Sequence, residues 1–566
     1  MSRLFRVIGR SGPIRTAQCR EWPLVKGNRT RRWVRAGLAA LSGLLSAGTA
    51  LAVAELGAAF VRPEASPLPA VGGAVIDRTP PAVKDWAIRE FGTDDKLVLG
   101  SGILVVVALI AIGVGLLALR LPRTAMACVF AFGVVGAFAA YHRAGGGFAD
   151  TVPALLGGVV GAAALWWLAR ALAVDPDTAP DTVRGEDRAP DEVPAPARPA
   201  SAVDRRVFVV TAAAVAAVAA VAGTTGRVIA NGRRASIAAF RDRLRLPAPA
   251  EAAPPVPAGA DLRVPGLSAF TTSNADFYRV DTALVVPRPD AESWRLRVHG
   301  KGVRTPMTFS FADLLRRPLI ERDITLTCVS NEVGGPYTGN ARWLGVRLAD
   351  LLRDAGVVPP SRGGPADQLV SRSTDGMTIG TPVEVVMDGR DAMLAVGMNG
   401  EPLPFEHGYP VRMVVPGLYG YVSACKWIGE IELTNFADYD AYWVKRTWSR
   451  EAPIKTQSRI DTPKPFANLV RGTPVPVAGI AWAQHRGIAA VEISVDDGPW
   501  ERARLAPVPG ADTWRQWVWE WTPTSAGSHR VQVRATDATG AVQTDKRAGT
   551  VPDGATGWHS VVVSVS

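Results

Sequence analysis

Five nearly uncharged apolar stretches crowd the first 235 residues, running from Trp33 to Val61, Leu97 to Leu119, Ala125 to Tyr141, Val152 to Val174 and Val207 to Ala230. A helix needs roughly 20 apolar residues to cross a bilayer, so each stretch is expected to span one, the short and glycine-rich third with least to spare. They are apolar all round rather than on one face, unlike the helices of a soluble core. A Pro/Ala-rich stretch from Pro247 to Pro265 reads as a semi-rigid linker. Beyond it the period changes. Strand-like runs (Trp294 to Val298, Ile324 to Cys328, Val411 to Val415) alternate with short helical ones (Phe311 to Arg316, Leu348 to Ala355), the mark of an α+β domain. In the last hundred residues the runs Val475 to Trp482, Ala489 to Asp496, Trp514 to Thr522, His529 to Asp537 and Trp558 to Val565 come at near-regular spacing between turn residues. That spacing predicts an all-β, immunoglobulin-like sandwich. Within it Trp517, Trp519 and Trp521 share one face of a strand and are expected to pack in a core or an interface.

Charge gives the apolar stretches an orientation. The formal net charge is +11, but the arginines gather beside the apolar segments, which points to membrane topology and away from nucleic acid. The first 35 residues carry ten basic residues against the single acid Glu21, so that end is expected in the cytoplasm. Alternation then puts the short Arg120 to Arg123 turn and the 175–204 segment inside, and everything after about residue 235 on the outer face. Asp204-Arg205-Arg206-Val207-Phe208-Val209 resembles a twin-arginine export signal; ordinary inside-positive flanking charge explains it equally well. Glu55, late in the first stretch, marks either a polar contact within the membrane or the interface itself.

Four cysteines, Cys19, Cys128, Cys328 and Cys425, stand without any CxxC pair, which excludes a disulfide scaffold, an all-cysteine zinc site and ordinary iron–sulfur ligation. Chemistry at cysteine must therefore rest on single thiols. Cys328 ends a β-run and enters the glycine-containing loop of Thr325-Leu326-Thr327-Cys328-Val329-Ser330-Asn331-Glu332-Val333-Gly334-Gly335. There it either presents a thiolate beside backbone N–H groups or is an inert buried cysteine. Cys425 is open to two readings as well, a second thiol near the same chemistry or a small buried residue. Of the six histidines, 142, 299, 407, 485, 529 and 559, only His142 touches an apolar stretch, and no CxxCH occurs. No haem is expected in this chain, and electrons must pass to or from a separate partner or soluble carrier.

Five blocks in the soluble half, in order across about 200 residues, decide between these readings: SNADFYRVDTALVVP (273–287), TLTCVSNEVGG (325–335), MNGEPLPFEHGYPVRMVVPGLYGYVSACKW (398–427), YWVKRTW (442–448) and PIKTQSRID (453–461). Together they resemble the sulfite oxidase family of molybdopterin enzymes, particularly its membrane-associated bacterial members. The resemblance implies that Cys328 ligates molybdenum, held also by one molybdopterin. It implies pterin-binding roles for Asn274, Tyr278, Arg279, Ser373, His407, Arg412, Ser423 and Lys426. Arg412 and Lys426 fit best physically, because a buried anionic cofactor needs cations; surface ion pairs are their plainer reading, and core packing is that of Tyr278.

The sequence also departs from sulfite oxidases. Asn331-Glu332-Val333 stands where they carry basic residues that help bind sulfite, and Leu394-Ala395-Val396-Gly397 stands where they have a tyrosine. An acid beside the site would repel a dianion by about 1 kcal/mol if solvated and by several if desolvated.

The fold class expected is thus multi-domain. An N-terminal all-α transmembrane region (1–235) leads through a linker (236–267) to an α+β sulfite-oxidase-like molybdopterin domain (268–465), followed by an all-β immunoglobulin-like sandwich (466–566) of the family's dimerisation type. The function expected is oxygen-atom transfer by a membrane-anchored molybdenum oxidoreductase outside the cytoplasmic membrane. Its partners would be a small oxo donor or acceptor, a separate electron carrier, the lipid bilayer and, through the sandwich, a second copy. Two alternatives remain: a reductase of S-oxides or N-oxides such as methionine sulfoxide, and a non-enzymatic membrane interaction protein with a relic cofactor domain.

Overall fold

The computed structural model describes residues 27–62, 65–80, 83, 90–91, 95–143, 146–173, 201–283 and 285–566. Cys19 and residues 175–200 lie outside them. Among the described residues, five helices are long and apolar enough to cross a membrane: α1 (Gly27–Val61), α3 (Asp95–Ala118), α4 (Pro122–His142), α5 (Thr151–Ala173) and α6 (Ser201–Arg243). A short apolar helix absent from the sequence reading, α2 (Pro67–Arg78), follows α1, with proline in its first turn. Glu55 of α1 accepts a hydrogen bond from Ser66 just before α2.

The chain divides into two compact units, residues 1–53, 101–134 and 155–222, and residues 54–100, 135–154 and 223–566. In the first, helices pack through small residues: a Cβ at Gly115 of α3 would lie 2.1 Å from the Ala39 carbonyl oxygen of α1. Partly buried Cys128 packs against the cluster of Val114, Ala118, Ala125 and Leu165, as expected of a helix-packing residue.

In the second unit α6 outlasts its apolar stretch. Its last turns join the soluble core through buried Ile237, while Arg241 donates to the carbonyls of Leu403 (2.7 Å) and Pro402 (2.8 Å). The proline-rich stretch after it lies along the first sheet-bearing region: Ala250 N–H donates to Leu319 O at 2.8 Å and Glu251 bridges Ile320 in parallel.

Two sheets follow around one core. One is mixed, in the order β2 (Met307–Ser310), β1 (Arg295–Gly300), β10 (Ile428–Thr434), β5 (Gln368–Ser373) and β6 (Thr378–Pro382), with only β1 and β10 parallel. The other is antiparallel, in the order β3 (Leu319–Thr327), β4 (Thr338–Arg347), β7 (Met393–Met398) and β8 (Glu401–Pro402), with β9 (Arg412–Val414) also on β7. The short helices α7 (Phe311–Leu315), α8 (Leu348–Asp354), α9 (Val383–Met387) and α10 (Gly420–Ser423) fill the connections. β7 is buried along its whole length, so the segment standing in place of the relatives' tyrosine is core.

The C-terminal strands form two further sheets. One has the order β11 (Gln457–Thr462), β13 (Val475–Trp482), β17 (Arg515–Trp521) and β16 (Arg504–Leu505). The other has the order β12 (Asn468–Leu469), β19 (His559–Val565), β18 (Gly527–Asp537), β14 (Ile488–Val495) and β15 (Glu501–Arg502). Both contribute to one apolar cluster in which Trp517 and Trp521 are buried and Trp519 partly so, as packing of that face requires. Polar contacts tie these strands to β3: Gln484 donates to Thr325 O (3.1 Å) and Thr327 Oγ1 (3.0 Å), and Trp514 N–H donates to Thr325 Oγ1 (2.7 Å).

Candidate active site

Strand β3 delivers Cys328 to its site. Both faces of the strand are buried, and its antiparallel pairing with β4 ends at Thr327 opposite Thr338. The hairpin loop then folds on itself: Cys328 N–H donates to Tyr337 O (2.9 Å), Asn331 N–H to Cys328 O (3.1 Å), and Tyr337 N–H to Asn331 Oδ1 (2.7 Å). Arg459 of β11 holds the far side of the loop by donating to Gly335 O at 2.8 Å. Gly334 sits in the left-handed region (φ +81°) against His559, where a Cβ would come within 2.2 Å of the ring. Only glycine fits there.

Cys328 is 8% exposed and lines a cavity of about 130 Å³ that opens to solvent. Burial raises the thiol pKa, while hydrogen bonding from Ser330 and the charge of Lys426 act the other way. Of the residues singled out in the sequence, Tyr278, Cys328, Ser373, His407, Arg412 and Lys426 share this wall.

Arg412 is wholly enclosed, and desolvation lowers its pKa to about 10. Its guanidinium lies 4.9 Å from the Trp343 ring centroid, and Nη1 donates to His407 O at 3.2 Å. Its Nε–H has no partner, and among the described residues no carboxylate lies within ion-pairing distance. Lys426 is brought beside it by Gly408 (φ +110°), whose Cβ position lies 3.0 Å from Arg412 Cβ and 3.2 Å from Lys426 Cα. Burial lowers the Lys426 pKa to about 8, against the pull of Asp281, to which its ammonium donates at 2.8 Å. His407 is driven to about 4 by burial and then by Arg412, and is therefore a neutral ring at pH 7; its Nε2 contacts Asn274 O at 3.0 Å. Burial raises the Tyr278 pKa well above the usual phenol range, keeping the hydroxyl protonated.

The other three candidates stand back from the wall. Asn274 supports it from behind, donating to Met398 O (3.3 Å) and accepting from Asn399 (2.9 Å). Arg279 is turned outward in an ion pair with Asp281 at 2.8 Å, with 36% of its side chain exposed. Ser423 is buried and spends its hydroxyl on Leu418 O and Tyr419 O, closing a helical turn. Glu332, whose charge the sequence reading set against sulfite, is exposed and absent from the wall. The loop turn that buries Asn331 and Val333 points the intervening residue to solvent.

The carboxylates on the wall are instead Asp281, the partner of Lys426, and the nearly buried Asp375, which accepts from Ser373 Oγ. Asp375 and the aromatic groups Tyr421, Trp443 and Trp448 also line the wall without having been singled out; the three aromatics lie within the 398–427 and 442–448 blocks, whereas Asp375 lies in none of the five. Cys425 lines the same cavity but is 1% exposed, with its thiol pushed up to about 12 by burial, so it is both a small packed residue and a second thiol beside the site.

A molybdopterin group fits this donor set. An enclosed guanidinium with an unspent N–H calls for an anion, the neighbouring lysine supplies a second cation, and the Cys328 thiol offers a soft ligand on the same wall. Cys328 would hold the metal, and Arg412, Lys426, His407 and Tyr278 the pterin.

Comparison with known proteins points the same way. Residues 283–443 match a family model described as an oxidoreductase molybdopterin binding domain. Sulfite oxidase of Gallus gallus is 31% identical over 320 residues, covering 49% of this chain and 68% of that protein. Mitochondrial sulfite oxidase of Mus musculus is 30% identical over 289 residues, covering 44% of this chain and 52% of that protein. The chain thus spans from about half to two thirds of these relatives' lengths. The oxidoreductase YuiH of Bacillus subtilis is 34% identical over 181 residues, 83% of its length. Among solved structures, the sulfane dehydrogenase SoxCD of Paracoccus pantotrophus aligns with a TM-score of 0.45 at 25% identity, covering 53% of this chain and 84% of that one.

Proposed function

We propose, for a chain that belongs to the sulfite oxidase family of molybdopterin-dependent oxidoreductases, that it catalyses two-electron oxygen-atom transfer at the Cys328 cavity, on the outer side of a membrane that its helices cross. The bound molybdenum supplies the redox change, cycling by two electrons as oxygen moves to or from the substrate. The chain's own residues bind and orient. Cys328 offers the thiolate, Arg412 and Lys426 neutralise the anionic chelate, and neutral His407 and protonated Tyr278 provide polar ring groups beside it. The observation that carries this reading is Arg412, a fully enclosed cation with no carboxylate and an idle N–H, on the same wall as the thiol.

Anchoring rests on the five apolar helices and on the charge of the first 35 residues. The outward side is supported by α4, whose last residues share a cavity wall with Thr282 and Asp375 of the catalytic region. By the charge rule that end of α4 faces out. We read the C-terminal sheets as the immunoglobulin-like, dimerisation-type domain and the boundaries near 235, 267 and 465 as domain limits.

Direction of transfer admits a second reading, reduction of sulfoxides. Asp375 together with Tyr421, Trp443 and Trp448 gives the wall an acid and an aromatic surface, which favours a neutral sulfur compound over a dianion. Metal and pterin quantification on wild type beside Cys328→Ser tests the core of the proposal. Wild type should carry about one molybdenum per chain and the variant little, whereas metal-free wild type from a cofactor-competent host would overturn it. Sulfite with an artificial acceptor, run beside a sulfoxide with a reduced dye, separates the directions.

A further inference from the structure

A second, larger cavity adjoins the first. It holds about 680 Å³ and opens to the surroundings, and it shares Thr282, Asp375 and Met377 with the Cys328 cavity. Its other side is formed by α2, through Val71, Ala74 and Val75, and by the last turns of α4, through Val135, Phe138 and Ala139. Polar groups stand at the ends of this apolar wall: His142 closes α4, Arg78 closes α2, and Tyr442 joins Asp375 from the catalytic side. The α2 side leaves open space, since a Cβ on Gly73 would meet nothing within 4 Å.

We propose that this cavity binds a membrane-soluble quinone that exchanges electrons with the reaction at the Cys328 cavity. The inference rests on the reading of that cavity as the molybdopterin site. Three observations select this occupant. The apolar wall lies at the end of a membrane-length helix, where a hydrophobic carrier arrives laterally, whereas a small polar substrate would gain nothing from valine and phenylalanine. Hydroxyl, imidazole and carboxyl groups at the edges suit a ring with two carbonyls that must gain or lose protons. The shared wall brings such a ring next to the reacting centre, in a chain whose helical region holds a single histidine, His142, and so no haem pair.

The balance closes. Reduced substrate, water and quinone give oxidised substrate and quinol: the substrate gains a bond to the water's oxygen, the water's two hydrogens leave as protons, and the substrate's two electrons reach the quinone, whose carbonyl oxygens take up two protons. In reverse, quinol returns two electrons and two protons, the sulfur–oxygen bond of the oxide breaks, and its oxygen leaves as water.

The test uses the full-length holoenzyme in phosphatidylcholine discs, titrated with decylubiquinone while tryptophan fluorescence is followed. Trp443, whose ring lies 5.1 Å from that of Tyr442, is the nearby reporter. Saturable quenching is expected in wild type. Gly73→Leu and Ala74→Phe, which fill the void, should weaken it at least about tenfold by occupying the ligand's space, while molybdenum content and dye-coupled turnover stay at wild-type values. Non-saturable quenching in wild type, as from quinone or lipid merely partitioning, would overturn the proposal. So would unchanged affinity in both variants, or an equal loss of dye-coupled turnover, which would make the cavity a substrate vestibule. Missing molybdenum would instead sink the reading of the Cys328 site, and the titration reports independently of it.

Discussion

Arg412 carries a charge that the folded protein, without its cofactor, leaves unanswered. Enclosing an ion costs several kcal/mol even after relaxation, and Trp343 with one carbonyl offsets only part of it. Arg412→Met should therefore leave the cofactor-free protein at least as stable, by thermal denaturation, while pterin retention drops about tenfold or more, the worth of a charge-assisted hydrogen bond. Arg412→Lys should not restore retention, because an ammonium lacks the planar fork that stacks on the indole. A cofactor-free variant clearly less stable than wild type would show that the arginine is merely structural. At this scale the sequence was informative wherever chemistry narrows the choice of residue: Cys328, Arg412 and Lys426 stand together as the family blocks implied. It misled at Glu332, since which way a loop side chain turns depends on the hydrogen bonds of Asn331, not on residue type. Arg279 likewise belongs to Asp281 rather than to the cavity, a partnership fixed by local chain path.

The β3–β4 hairpin shows what an element must supply for one thiol to be usable. Its loop is fixed from within by Asn331 and from outside by Arg459 and the His559 ring, with Gly334 as the point of closest approach. Gly334→Ala combines a left-handed backbone with a ring clash, and should destabilise the protein by about 2 kcal/mol or more. It should also lower molybdenum content, since the thiol shifts with the loop; melting temperature and metal analysis check both, and a wild-type metal content would separate loop position from ligation. Strand limits in the C-terminal sheets fell within a residue or two of the alternation pattern, because burial on one face imposes period two on the sequence. α2 escaped notice because Pro67, Pro69 and the Gly72-Gly73 pair read as loop punctuation. The end of α6 was placed too early for a related reason: polarity returns from Asn231 to Arg234, but a helix leaving lipid need not stop, and Ile237 and Arg241 find packing and carbonyl partners further on.

Across the whole molecule, acid sensitivity concentrates where the C-terminal strands meet the thiol loop. His559 Nδ1 accepts from Ile460 N–H at 3.0 Å, so the ring must stay neutral, and burial followed by Arg459 holds its pKa at about 4. The unfolded ring titrates near 6.5, so between about 6.5 and 4 the unfolded chain binds a proton that the native ring refuses, and stability falls as pH drops through that window. His407, also near 4, adds a loss of the same sign. His559→Gln keeps an acceptor without the titration. Its unfolding free energy should fall less steeply from pH 6.5 to 4, by up to about 3 kcal/mol before solvent screening, and denaturant melts at several pH values would reveal parallel curves if the ring plays no part.

The polar fastenings on β3 also bear on ancestry. Because Gln484 and Trp514 complete the bonding of Thr325 and Thr327, a gene fusion joining one lineage's thiol-bearing half to another's tail would orphan those partners unless both residues travelled with it. The two halves are therefore expected to have been inherited together.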